Sequence, residues 1–163
     1  MYVIDDLREY FREDKKFRIY GLYANPNIHP YDEFLRRLAN AEKACAIKNV
    51  PLGVIADFDM DRWANFEGAR EDRCKMCYRV RMETAARFAA ENGFRMFSTT
   101  LLVSPYQNHE EICAAGNAAG EKYGVSFFYR DYSPGFREGQ RQAKEAGLYR
   151  QKYCGCIRSK TYE

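Results

Sequence analysis

Between residues 2 and 12 the apolar side chains Val3, Ile4, Leu7 and Phe11 recur at helical spacing with charged residues between them, which predicts an amphipathic helix. Phe17 to Tyr23 has strand character, and Asn25-Pro26-Asn27-Ile28-His29-Pro30 after it is a loop punctuated by two prolines. From Tyr31 to Asn49, Phe34, Leu35, Leu38, Ala41, Ala44 and Cys45 form a stripe that suits a helix packed on a sheet. Leu52 to Ala56 reads as a short buried strand, Lys75 to Asn92 as a helix stopped by Gly93, and Phe94 to Thr100 as a strand. Ser104-Pro105-Tyr106-Gln107 opens a helix to Tyr123, Val125 to Tyr129 is a strand, and Phe136 to Ala146 is a last helix before a short tail.

This order predicts an α/β fold: a mostly parallel sheet of about four to five strands with helices on both faces and functional loops at the strands' carboxyl ends. Such folds begin on a central strand, whereas this chain begins on a helix, so a first strand is expected to be missing. The length of 163 residues fits one domain over 1–163. No stretch reaches the roughly 18 apolar residues of a membrane span, and the N-terminus carries no export signal. The expected compartment is therefore the reducing cytoplasm.

In that compartment six cysteines point to metal or redox chemistry rather than disulfides. Cys74-Lys75-Met76-Cys77 and Cys154-Gly155-Cys156 are two close pairs, the second with a glycine that permits the tight path adjacent ligands need. Four thiolates suit both an iron-sulfur cluster and zinc, and the one-residue gap leans toward iron-sulfur. Cys45 and Cys113 stand alone on apolar helical stripes and are expected in the core.

The net charge of +3 alone demands no polyanionic partner, but Arg70, Arg73, Lys75, Arg79 and Arg81 flank the first pair and Arg150, Lys152, Arg158 and Lys160 the second. Such charge serves nucleic-acid phosphates, stabilises an anionic cluster, or is a solvated face. Tyr78, Tyr149 and Tyr153 lie among these charges, where rings can stack on bases. His29 reads as a proton donor or a turn residue, Asn25 and Asn27 as site residues or turn formers, and Ser104 as a site residue or helix cap. Asp57, Asp59 and Asp131 fall at predicted strand ends, where a carboxylate binds metal, donates a proton or caps a helix.

Four segments carry a likeness: Tyr23-Ala24-Asn25-Pro26-Asn27-Ile28-His29-Pro30-Tyr31, Arg73-Cys74-Lys75-Met76-Cys77-Tyr78-Arg79-Val80-Arg81, Thr99-Thr100-Leu101-Leu102-Val103-Ser104-Pro105 and Tyr149-Arg150-Gln151-Lys152-Tyr153-Cys154-Gly155-Cys156-Ile157. In content and order they resemble the cobalamin-independent epoxyqueuosine reductases, the QueH family, from Tyr2 to the C-terminus. The resemblance implies a Rossmann-like or HUP-like oxidoreductase that reduces the epoxide of epoxyqueuosine at a tRNA wobble position to queuosine. It implies a 4Fe-4S cluster with an additional iron, an external electron donor and tRNA as partner. By motif, Cys74, Cys77, Cys154 and Cys156 are the metal-ligand positions. Asn25, His29, Arg73, Arg79, Arg81 and Ser104 are the substrate-binding candidates, and the acid is unassigned.

The family opens on a strand followed by a Cys-Cys-x-Pro-Cys motif that this sequence lacks, so an N-terminally shortened, incompletely ligated and even inactive form is expected, with the additional iron lost. Two alternatives share some of the features: a zinc-stabilised tRNA-binding module, and an ATP-dependent tRNA thiolation-type enzyme. The latter needs a glycine-rich phosphate loop, which is absent from the sequence.

Overall fold

A computed structural model describes residues 1–160. Its elements are α1 Tyr2–Tyr10, β1 Gly21–Ala24, α2 Tyr31–Ile47, β2 Leu52–Ile55, α3 Met60–Ala64, α4 Arg70–Glu91, β3 Met96–Phe97, α5 His109–Tyr123, β4 Ser126–Phe127 and α6 Phe136–Glu145, with short 3-10 turns at Thr100–Val103 and Ser133–Gly135. The α/β class and parallel pairing expected from the pattern are present. β1 runs parallel to β2 with Gly21 beside Leu52, and β3 parallel to β4 with Met96 beside Ser126. The four strands form two sheets of two strands each. In each the connection includes a helix, α2 or α5, as parallel neighbours require.

The chain divides into two compact units, Met1–Met60 with Pro134–Glu163 and Asp61–Ser133. The first unit is built on β1, α2 and β2, and its core is Tyr23, Ile28 and Phe34, joined by Leu38, Ala41, Leu52 and Phe58. The Tyr23 hydroxyl donates to the Phe34 carbonyl at 3.0 Å, which pins α2 to β1. Of the stripe read along α2, Phe34 is buried as expected but Leu35 is 43% exposed, while Glu33 and Arg37 are buried instead. α1 docks by its Lys48–Asp5 ion pair (2.6 Å) and by the absence of a side chain at Gly135, which leaves room for the Tyr2 ring.

In the second unit α4 packs on α5 through Met76, Met82, Ala86, Ile112 and Ala119, all buried. Two glycines bring α5 onto its strand: a Cβ at Gly120 would stand 2.5 Å from the Val125 carbonyl, and one at Gly116 2.6 Å from the Phe127 ring. Two helix starts differ from the sequence expectation. α4 begins at Arg70, so Cys74 and Cys77 lie inside it rather than at its opening. α5 begins at His109 rather than Ser104, because the Asn108 side chain accepts from the Glu111 amide at 3.1 Å and caps the helix there. No helix among the described residues is long and apolar enough to cross a membrane.

Candidate functional site

In the first unit the chain leaves β1 into the loop Asn25 to Pro30, at the carboxyl end of a parallel strand, where α/β folds place ligands. The C-terminal segment lies along this loop although it is more than a hundred positions away. The His29 amide donates to the Gly155 carbonyl at 2.8 Å, the Asn27 side-chain amide to the Cys154 carbonyl at 3.4 Å, and the Tyr153 hydroxyl to the His29 carbonyl. Gly155 holds φ +102°, where an L side chain is strained, and a Cβ there would stand 2.9 Å from Ile28 Cγ1. Only glycine lets the Cys154-Gly155-Cys156 turn lie so close to the loop. Cys156 is buried and Cys154 exposed, with its sulfur 3.1 Å from the Ser159 hydroxyl.

Beneath this turn α2 carries a buried ion pair. Arg37 Nε donates to Glu33 Oε1 at 2.7 Å, with side-chain exposures of 3% and 6%. The Tyr149 hydroxyl donates to the same carboxylate, and the Arg37 guanidinium lies over the Tyr153 ring at 5.0 Å. Burial, with the Glu33 charge adding to it, pushes the Tyr153 phenol above its ordinary value. Two polar atoms of the loop, Asn27 Oδ1 and His29 Nδ1, are buried without a partner. Such atoms cost about 1–3 kcal/mol each when left unsatisfied, and unfilled capacity beside a motif is what a ligand site offers.

In the second unit Arg70, Cys74, Cys77 and Arg81 follow one another at four, three and four positions along α4 and so share one face of it. Arg73, one helical turn before Cys77, has its Nε buried without a partner. Arg79 lies on the opposite face, where it lines a cavity of about 550 Å³ between α4 and α5 with Lys75, Glu83, Glu111 and Lys122. There Lys75 pairs with Glu111 and Lys122 with Glu83, both at 3.2 Å. The basic run around the first cysteine pair is thus split between two faces of one helix, and Arg79 is separated from the sulfurs.

Several candidates have local tasks. Ser104 accepts from the Tyr106 amide at 3.3 Å in a turn, while its carbonyl meets His109 Nε2 at 3.3 Å. Tyr78 is buried and donates to Gln107 at 2.9 Å, so it presents no open face to a base. Tyr149 and Tyr153 are engaged through their hydroxyls, and their rings already carry Arg36 and Arg37. Asp131 accepts from Ser133, which holds its carboxyl below the usual range; His109, 3.7 Å away, adds to this. The Asp59 amide bonds the Pro26 carbonyl at 3.2 Å, and Asp57 is exposed. Cys45 and Cys113 are half-buried rather than fully core, and burial raises the Cys45 thiol. Arg37 and Glu33 escaped sequence reading altogether, because charged residues on a helix are read as its wet face. Their spacing of four, which permits an ion pair, was the only signal.

Two thiols on one helical face and two flanking a tight glycine turn are donor sets that fit soft-metal or cluster binding. Among the described residues, no three His, Cys, Asp or Glu side chains gather to hold a metal ion.

A model of the family described as epoxyqueuosine reductase QueH matches residues 1–162. Curated relatives named epoxyqueuosine reductase QueH include one from Dehalococcoides mccartyi, 32% identical over 90% of this chain and 81% of its own length. One from Thermotoga maritima is 36% identical over 83% of this chain and 76% of its own. One from Helicobacter pylori is 32% identical over 96% of this chain but 45% of its own, so the chain spans less than half of that relative.

Proposed function

The chain belongs to the epoxyqueuosine reductase QueH family, a family of oxidoreductases, and from that premise we propose that it reduces epoxyqueuosine in tRNA to queuosine with an iron-sulfur cluster held by Cys74, Cys77, Cys154 and Cys156. The observation that carries the reading is the lacing of Cys154-Gly155-Cys156 onto the Asn25-to-Pro30 loop, which joins two of the segments that resemble the family at one strand end.

The overall change is balanced as epoxide plus two electrons and two protons giving alkene plus water, so the protein must bind the nucleoside, admit protons and receive electrons from an external donor. A bound cluster would supply the electrons singly. The chain's own residues do the rest. Asn25 and His29 stand in the loop beside Cys154 and Cys156, where Asn27 Oδ1 and His29 Nδ1 supply polar atoms the fold leaves unbonded. Arg73 and Arg81, with exposed Arg150 and Lys152, supply positive charge for the RNA backbone. Arg79, on the face of α4 opposite the sulfurs, and Ser104 complete the proposed tRNA contacts.

The test is anaerobic purification with iron, acid-labile sulfide and zinc analysis, followed by an assay on epoxyqueuosine-containing tRNA. Iron with sulfide, and conversion to queuosine, is the expected result. A colourless protein with stoichiometric zinc and no conversion would leave the zinc-stabilised tRNA-binding module in its place.

A further inference from the structure

One guanidinium forms the floor of the C-terminal sulfur turn. Arg37 Nε meets Glu33 at 2.7 Å, Nη1 donates to the Gln151 side-chain oxygen at 2.9 Å, and Nη2 donates to the Tyr153 carbonyl at 2.9 Å. Gln151 and Tyr153 lie just before Cys154. A Cβ at Gly155 would come within 3.2 Å of Nη1, so the glycine's main chain rests directly on the guanidinium. Burying a charge is unfavourable unless its donors find partners. Here the partners are spread over α2 and both the side chain and main chain of the tail. Lysine has the charge but not the planar fork that satisfies three acceptors at once.

We propose that Arg37 is a positioning residue: it sets the Cys154-Gly155-Cys156 turn in its ligand-presenting conformation before any metal arrives, with Glu33 fixing the guanidinium. The inference rests on the reading of Cys154 and Cys156 as ligand positions, and deepens it. The half-site is preorganised by the protein, so the metal does not have to order the tail when it binds.

The experiment uses the full chain, metal-free, as wild type, Arg37→Lys and Gln151→Ala. Alkylation of each cysteine by iodoacetamide is followed by mass spectrometry, and separate, unalkylated samples of the same proteins are supplied with ferrous iron and sulfide under nitrogen. Cys45, on α2 itself, is the internal reference for helix packing. Arg37→Lys is expected to speed alkylation of Cys156 about tenfold, the factor expected from losing one charge-assisted hydrogen bond, with Cys45 unchanged. Gln151→Ala, which leaves α2 intact, is expected to give a smaller acceleration at the same thiol. Iron affinity should fall about 10- to 100-fold in Arg37→Lys, with a changed visible absorption band.

Unchanged Cys156 in both variants, or Cys156 and Cys45 rising together, would overturn the proposal by making Arg37 an ordinary core residue. Selective acceleration in the two variants, together with a wild-type protein that takes up neither iron nor sulfide, would support the clamp and sink the cluster reading instead.

Discussion

Cys154 and Cys156 flank a glycine at φ +102° in a tail bound by a buried guanidinium, two loop amides and a tyrosine hydroxyl, whereas Cys74 and Cys77 ride one turn apart on the regular helix α4. The helical pair needs little beyond helix formation, because a spacing of three puts both sulfurs on one face wherever the helix forms. The tail pair has no regular structure to rely on. Its geometry depends on α2 and β1, elements far away in sequence, and therefore on buried polar groups that must all be satisfied together. The two halves of the candidate ligand set should respond very differently to substitution.

The largest difference is expected from Glu33→Ala, which strands Arg37 as a buried charge. A loss of about 3 kcal/mol is expected by urea denaturation, in line with the cost of breaking a buried pair. Its counterpart in the other unit, Glu83→Ala at the exposed Lys122–Glu83 bridge, should leave the urea midpoint unmoved. Equal effects would erase the contrast.

Next comes Gly155→Ala. Positive φ and the 2.9 Å approach to Ile28 both oppose a side chain there, so the tail should detach at a cost of about 1–2 kcal/mol. Faster hydrogen exchange of the His29 amide, which the Gly155 carbonyl accepts, would report that detachment. Lys75→Ala, between the helical cysteines but on another face, should leave the exchange of α4 unchanged.

Metal content sharpens the comparison further. With each pair changed to serine in turn, iron and sulfide should fall to background in both cases, as shared ligation requires. Retention of full iron after loss of either pair would assign the metal to the other pair alone.

The smallest effect is a pH dependence confined to the second unit. Asp131 is held below its ordinary value by Ser133, so its contribution is present above the unfolded carboxylate range of about 4 and fades as pH falls through its lower folded value. Acid unfolding of Asp131→Asn should lack that component; an unchanged acid limb would refute it.

Local patterns in the sequence carried much of this architecture. The apolar stripe of α2, the short β2 run and the long helix holding Cys74 and Cys77 follow from period and composition, because side chains three or four apart must share a helical face. The cysteine pairs and their basic neighbours were legible for the same reason, being close in the chain. The sequence did not reveal that α4 begins at Arg70, that Arg79 faces away from the sulfurs, or that Asn108 rather than Ser104 caps α5. The two helix starts depend on competition between neighbouring turns that propensity barely distinguishes, while the placing of Arg79 follows from helical period once α4 is known to run through both cysteines.

Sequence alone thus determined the α/β class and the family that its motifs share. Tertiary structure alone decided how the C-terminal pair is held. The spacing of four permits the Arg37–Glu33 pair but not its burial, which becomes favourable only when Gln151, Tyr153 and Tyr149 arrive from the distant tail to satisfy it.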